Sequence, residues 1–269
     1  MTSLEKFLRV KEILDRSKLI KNDLPKRYIR TLHYIINAQI ELKDLKSARE
    51  SIKLMRSLSG TQGFTGQNLE TQIFVASYLG ELRLLDRSAD YGKAMELVDP
   101  ILKGMEEMAA GIHKESEIEF YFTLAIVHFG ANEMNKALFW LNKVLNDNEP
   151  TLRQDIFTYA RVFNLVVHFE LGNYDLLEYI VRSTSRFMNK RHDANDVEVL
   201  LIDHIKKMAR STDPEVKIEH FAMMHKEFKV IFKDPLESMV LKYFDVMSWV
   251  ESRMEGITFA EVVKRNNKA

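Results

Sequence analysis

The chain has 269 residues, 46% hydrophobic and 29% charged, with 39 basic and 39 acidic side chains that cancel to zero net charge. This is a folding composition with material for a large core, and without a basic excess a general nucleic-acid binder is not expected, since such binding rests on phosphate contacts. No cysteine is present, which excludes disulfides, thiolate catalysis and Cys-ligated zinc or iron–sulfur centres.

The opening MTSLEKFLRVKEILDRSK carries charges throughout and no apolar h-region, so no signal peptide is expected there. No window approaches about 20 uncharged apolar residues, so no membrane span is expected and a cytoplasmic protein is the reading. Only 5 prolines and 10 glycines occur, too few for turn-rich β-structure, and helical periodicity runs almost everywhere.

In chain order, residues 2–19 read as a first helix, with Thr2 and Glu5 in capping-box spacing. Asn22-Asp23-Leu24-Pro25 breaks it. Helices over 25–42 and 45–57 follow, then GTQGFTG (60–66), read as the most flexible loop. A long helix runs to Leu85, and RSADYG leads into the next, which Asp99-Pro100 kinks or splits and Gly111 ends. Segments 117–129, 135–146, 151–171 and 174–190 are the clearest alternation of helices, with Thr151 and Gln154 in capping-box spacing. Helices over 195–210, 214–232 and 235–255 follow, the last two opening at Asp213-Pro214 and Asp234-Pro235. Thr258 and Glu261 are placed to cap a short final helix, and KRNNKA reads as a frayed end. About twelve helices joined by short loops leave a bundle or a solenoid of stacked pairs.

A repeat favours the solenoid. VHF occurs at 127–129 and again at 167–169, each time followed by a polar turn and a new helix. Ala48, Ala94, Ala137 and Leu177 sit early in successive second helices, spaced by 46, 43 and 40 residues. Leu45, Tyr91, Met134 and Tyr174 lie three residues before them. A small residue at the marker lets two helices approach closely. A single hairpin cannot bury both faces of its helices, so neighbours must stack.

On these residues the chain resembles the tetratricopeptide repeat (TPR) family, in lengthened form. Tyr121, Leu124, Ala125, His128 and Ala137 give the closest unit, and Leu171-Gly172-Asn173-Tyr174 is similar to the family's turn and tyrosine. The period departs from the family's roughly 34 residues. NDNEPTLRQDIFTYARVFNLVVHFELGNYDLLEYIVRS also resembles segments of uncharacterised bacterial helical-repeat proteins. The resemblance implies an all-α, right-handed TPR-like α-solenoid of stacked antiparallel hairpins in a single domain over 1–269, clearest over 25–190. Residues 191–269 would then cap or dimerise it, the stripe Leu236, Met239, Val240, Tyr243, Phe244, Met247 and Val250 being suited to either. It further implies a concave groove lined by Phe122, Ile126, Phe129, Val162, Val166 and Phe169, which would take an apolar partner segment or be filled by the C-terminal helices.

A polar stripe interrupts the apolar helix over 151–171 at Arg161, Asn164 and His168, and recurs in weaker form at Tyr121 and His128. It could face a groove, with Arg161 pairing with an anion and Asn164 bonding a backbone amide. Alternatively it packs between helices with its polar atoms satisfied. The family register favours packing. Arg182, Arg186 and Lys190, with Arg191 and His192 adjacent, form a basic line that would bind phosphate or an acidic partner, or simply face water.

No catalytic pattern is found. The eight histidines form no His-x-x-x-His or Glu-x-x-His pair, and the three His-x-Glu pairs lack the cysteines that a zinc deaminase needs. GTQGFTG lacks the Gly-Lys-Ser/Thr of a phosphate loop, and no Gly-x-Ser-x-Gly occurs. The expectation is a non-enzymatic scaffold or adaptor that binds protein or peptide without metal or cofactor. The alternative is a ligand-responsive module like the repeat domains of peptide-sensing transcription regulators.

Overall fold

A computed structural model of the chain describes residues 2–191 and 196–267. Among these the protein is all helical, with fifteen α-helices, two 3-10 segments and no strand. Contacts divide it into two units, Met1–Thr123 and Leu124–Ala269, the division falling inside one helix.

The first unit begins with α1 (Ser3–Asp15), opened by the Thr2/Glu5 capping box. The helix read over 2–19 ends early, because the Ser17 hydroxyl accepts from the Ile20 amide and starts α2 (Lys18–Asp23). Next come α3 (Pro25–Glu41), α4 (Leu45–Ser57) and α5 (Gln67–Arg87). These three pack on one another, and α1 packs on α3. The 60–66 loop is anchored where the sequence suggested flexibility. Phe64 is buried edge-on against Tyr28, and a Cβ on Gly63 would come within 2.6 Å of Asn22. The segment holding Asp99-Pro100 splits into α6 (Tyr91–Glu96) and α7 (Val98–Glu107), since Pro100 has no amide to continue the ladder. A 3-10 turn at Ala109–Gly111 leads into α8 (Lys114–Gly130).

The second unit continues from α8 with α9 (Met134–Leu145), α10 (Gln154–Glu170) and α11 (Tyr174–Arg191). Then follow α12 (Asp196–Ala209), α13 (Pro214–Ile231), α14 (Val246–Glu255) and α15 (Phe259–Asn266). From α9 onward each helix packs on the next in sequence, α13 meeting α14 although a 3-10 segment intervenes in the chain. The expected capping box at Thr151 does not form: α10 begins after Arg153, which makes no cap bond. The helix read over 235–255 is a 3-10 segment (Glu237–Lys242) followed by α14, because Asp245 accepts from the Ser248 amide and opens a new helix. Glu237 turns away from its own segment, and its two carboxylate oxygens accept from the Asp196 and Val197 amides, capping α12 from a distance. The 258/261 capping box is present, and the end read as frayed is helical through Asn266.

The marker spacing has a structural cause. The second helices α4, α6, α9 and α11 begin at Leu45, Tyr91, Met134 and Tyr174, and Ala48, Ala94, Ala137 and Leu177 are fully buried. The residue at the bend before each is left-handed: Lys43 (φ 59°), Ala89 (φ 52°), Asn132 (φ 63°) and Gly172 (φ 70°). The next amide in each case, at Asp44, Asp90, Glu133 or Asn173, donates to the carbonyl five residues back. One six-residue closure that satisfies the end of the first helix is thus repeated four times.

Candidate functional site

The paired histidines belong to that closure. His128 and His168 are buried, and their carbonyls accept the bond that closes the turn. Their rings reach the same turn residue from the other side. His128 Nδ1 lies 2.7 Å from Glu133 Oε2, and His168 Nδ1 lies 3.0 Å from Asn173 Nδ2. Burial pushes both imidazoles below the ordinary histidine pKa, with Glu133 opposing the shift at His128. At His168 the Asn173 amide donates to the ring, which requires an unprotonated Nδ1. The remaining stripe residues also sit in packing. Half-buried Tyr121 donates to Glu117, and Asn164 is buried. Arg161 is half-buried between rings, 5.2 Å from the centroid of Phe157 and 4.6 Å from that of Phe187.

The six groove positions taken from the family register are all buried. Two of them show what covers them within the second unit. Phe129 meets the edges or faces of Phe163, Phe244 and Phe259 at 5.2, 5.2 and 5.4 Å. Phe169 meets Phe221 at 5.8 Å and Trp249 at 6.1 Å, and the indole Nε1 of Trp249 donates to Glu170 at 2.7 Å. Phe129 and Phe169 are thus packed within the second unit against residues of its C-terminal segment. The covering residues come from α13, α14, α15 and the short link before α14. Of the C-terminal stripe, Phe244 contributes to this cover; Val240 and Val250 are also buried, while Leu236 and Met239 stay exposed.

The first unit differs at the same register. Stepping back by the repeat spacings places His33, Asn37 and Ile40 of α3, and Leu79, Arg83 and Asp86 of α5, where α8 has Phe122, Ile126 and Phe129. Four of these six are polar, and three of them, His33, Asn37 and Arg83, are linked. The Asn37 amide contacts His33 Nε2 at 3.0 Å, and its oxygen accepts from Arg83 Nη1 at 2.9 Å. The other arm of Arg83 donates to Glu119 of α8. A polar chain therefore crosses α3, α5 and α8. His33, Asn37, Arg83 and Glu119 are all partly exposed, so the chain reaches the surface although most of each side chain is covered. Burial and the neighbouring Arg83 charge lower the His33 pKa to about 4, which keeps its ring neutral near pH 7.

Beside this chain lies a cavity of about 180 Å³, lined by Ile29, Arg30, His33, Gln72, Val75 and Ser116 among others. Apolar walls with a few convergent polar groups are what a small side chain needs for specific docking. These residues are not evident from the two clearest repeats, whose register positions are apolar. The 46- and 43-residue steps already contained the signal.

Comparison with protein-family models, with curated proteins and with solved structures finds no match for this chain. Among the described residues no group of three or more His, Asp or Glu could hold a metal ion. No described helix is long and apolar enough to cross a membrane.

Proposed function

We propose that the chain is a non-enzymatic scaffold of TPR-like solenoid type that binds a protein or peptide segment on the polar face of its first unit. One contrast carries the reading. At one repeat register, the second unit has phenylalanines covered by its own C-terminal helices, whereas the first has a partly exposed chain of His33, Asn37 and Arg83 beside a cavity. An extended peptide offers alternating amide donors and acceptors. An asparagine amide held by its neighbours is pre-organised to meet one of them at little cost in side-chain entropy. The cavity would receive one small or apolar side chain of the peptide.

The test is to select peptides from a random library on the full chain and retest them by fluorescence anisotropy against Asn37→Ala and Arg83→Gln. The expected result is a loss of about tenfold or more in affinity with unchanged far-UV circular dichroism. Selected peptides that bind both variants as they bind the parent would remove the first-unit face from consideration. A library that yields no binder would count against the scaffold reading itself.

A further inference from the structure

The second unit contains a cleft of about 350 Å³ lined by Arg161 of α10 and by Tyr179, Arg182, Ser183, Arg186 and Phe187 of α11. The size falls within the range of small-molecule sites and exceeds what one tetrahedral anion fills. Three of its six lining side chains are guanidiniums, and none is a carboxylate.

Arg161 is the informative member. Its guanidinium lies against the Phe157 and Phe187 rings, and its Nε is buried with no hydrogen-bond partner among the described residues. Burial lowers its pKa, the direction expected when a cation loses water without gaining an anion. A partly desolvated cation with no counter-charge among the described residues is unfavourable, and an anion entering the cleft would offset that.

Arg182 and Arg186 stand one turn apart on the exposed face of α11, so both reach the cleft mouth. Arg182 Nε makes only a long bond, 3.4 Å, to the Glu178 carbonyl. The nearby Glu178 carboxylate is taken by Arg210 at 2.9 Å and does not line the cleft. The rest of the basic line, the Lys190 and Arg191 side chains and His192, lies outside the described residues.

We propose that this cleft binds a small organic phosphate. The phosphate would lie among Arg161, Arg182 and Arg186, with the Ser183 hydroxyl as a further donor, because guanidinium forks match phosphate oxygens in pairs. The ring or apolar remainder would rest on Phe187 and Tyr179, the latter exposed at the rim. The site is independent of the peptide-binding face proposed for the first unit.

Isothermal titration of the full chain with AMP, inorganic phosphate and adenosine tests it. AMP is expected to bind with a Kd tighter than about 1 mM, phosphate more weakly, and adenosine not measurably. Replacing both exposed arginines (Arg182→Gln with Arg186→Gln) is expected to weaken AMP about tenfold or more while leaving the ligand-free melting temperature unchanged. Arg161→Gln, whose folding is checked by circular dichroism, should do the same. Absence of binding by both AMP and phosphate overturns the proposal and leaves a solvated basic face. So does AMP binding that the double variant retains, or adenosine binding as well as AMP.

Discussion

Replacing Phe129 with alanine separates a ring covered by the C-terminal segment from one on an open face. The ring is 1% exposed and touches three other aromatic rings, of which Phe244 and Phe259 belong to the C-terminal segment. Transfer of a whole phenylalanine side chain out of water stabilises by about 3 kcal/mol, and the cavity left behind brings the expected loss to about 3–5 kcal/mol. A phenylalanine on an open groove wall would cost less than about 1 kcal/mol. Both tryptophans, Trp140 and Trp249, lie in the second unit, so urea unfolding followed by tryptophan emission reports on that unit alone. A cycle with Phe259→Ala isolates the cross-contact, and a coupling of about 0.5–1.5 kcal/mol is expected from one edge-on ring pair. A loss below about 1 kcal/mol with no coupling to Phe259 would refute the argument, because the C-terminal helices would then not cover this ring.

Two further outcomes follow from the geometry. Ala89 holds φ 52° at a helix end where glycine is unstrained, so Ala89→Gly should stabilise by about 1 kcal/mol and raise Tm by about 2–4 °C in a far-UV melt. His33 has its pKa lowered from 6.5 to about 4, so the unfolded chain takes up its proton first as pH falls. Its contribution is fully present above pH 6.5 and is lost as pH drops toward about 4, on the order of 2–3 kcal/mol in all. The same urea titrations repeated across this window with His33→Gln, now followed by far-UV ellipticity, should show a shallower acid loss; an unchanged slope would mean His33 is solvated.

Local features of the fold were readable from residue order alone. A threonine three residues before a glutamate made a helix start at Thr2 and at Thr258, since both partners of that bond are local. The same spacing at Thr151 failed, because an alternative local turn won at 150–153. The repeat markers mapped onto four helix starts because each depends on a closure contained within six residues. The candidate sites were readable only in part. Arg161 and the Arg182/Arg186 pair were each visible as charges at helical spacing. Their convergence on one cleft was not, because it depends on how α10 and α11 pack.

Helical class, hairpin spacing and the buried markers follow from periodicity and turn chemistry, which act over a few residues and are written directly in the chain. Which apolar face stays open is decided by partners distant in sequence. Phe129 and Phe169 look like groove residues until Phe244, Phe259, Phe221 and Trp249 are placed against them, and Glu237 looks like a surface acid until it caps α12. The polar chain through Asn37 and Arg83 spans 46 residues, and its meaning comes from the Arg83–Glu119 and Asn37–His33 contacts that flank it. Burial is a property of the assembled structure, because the area removed from water depends on which neighbours arrive and not on the residue that is covered.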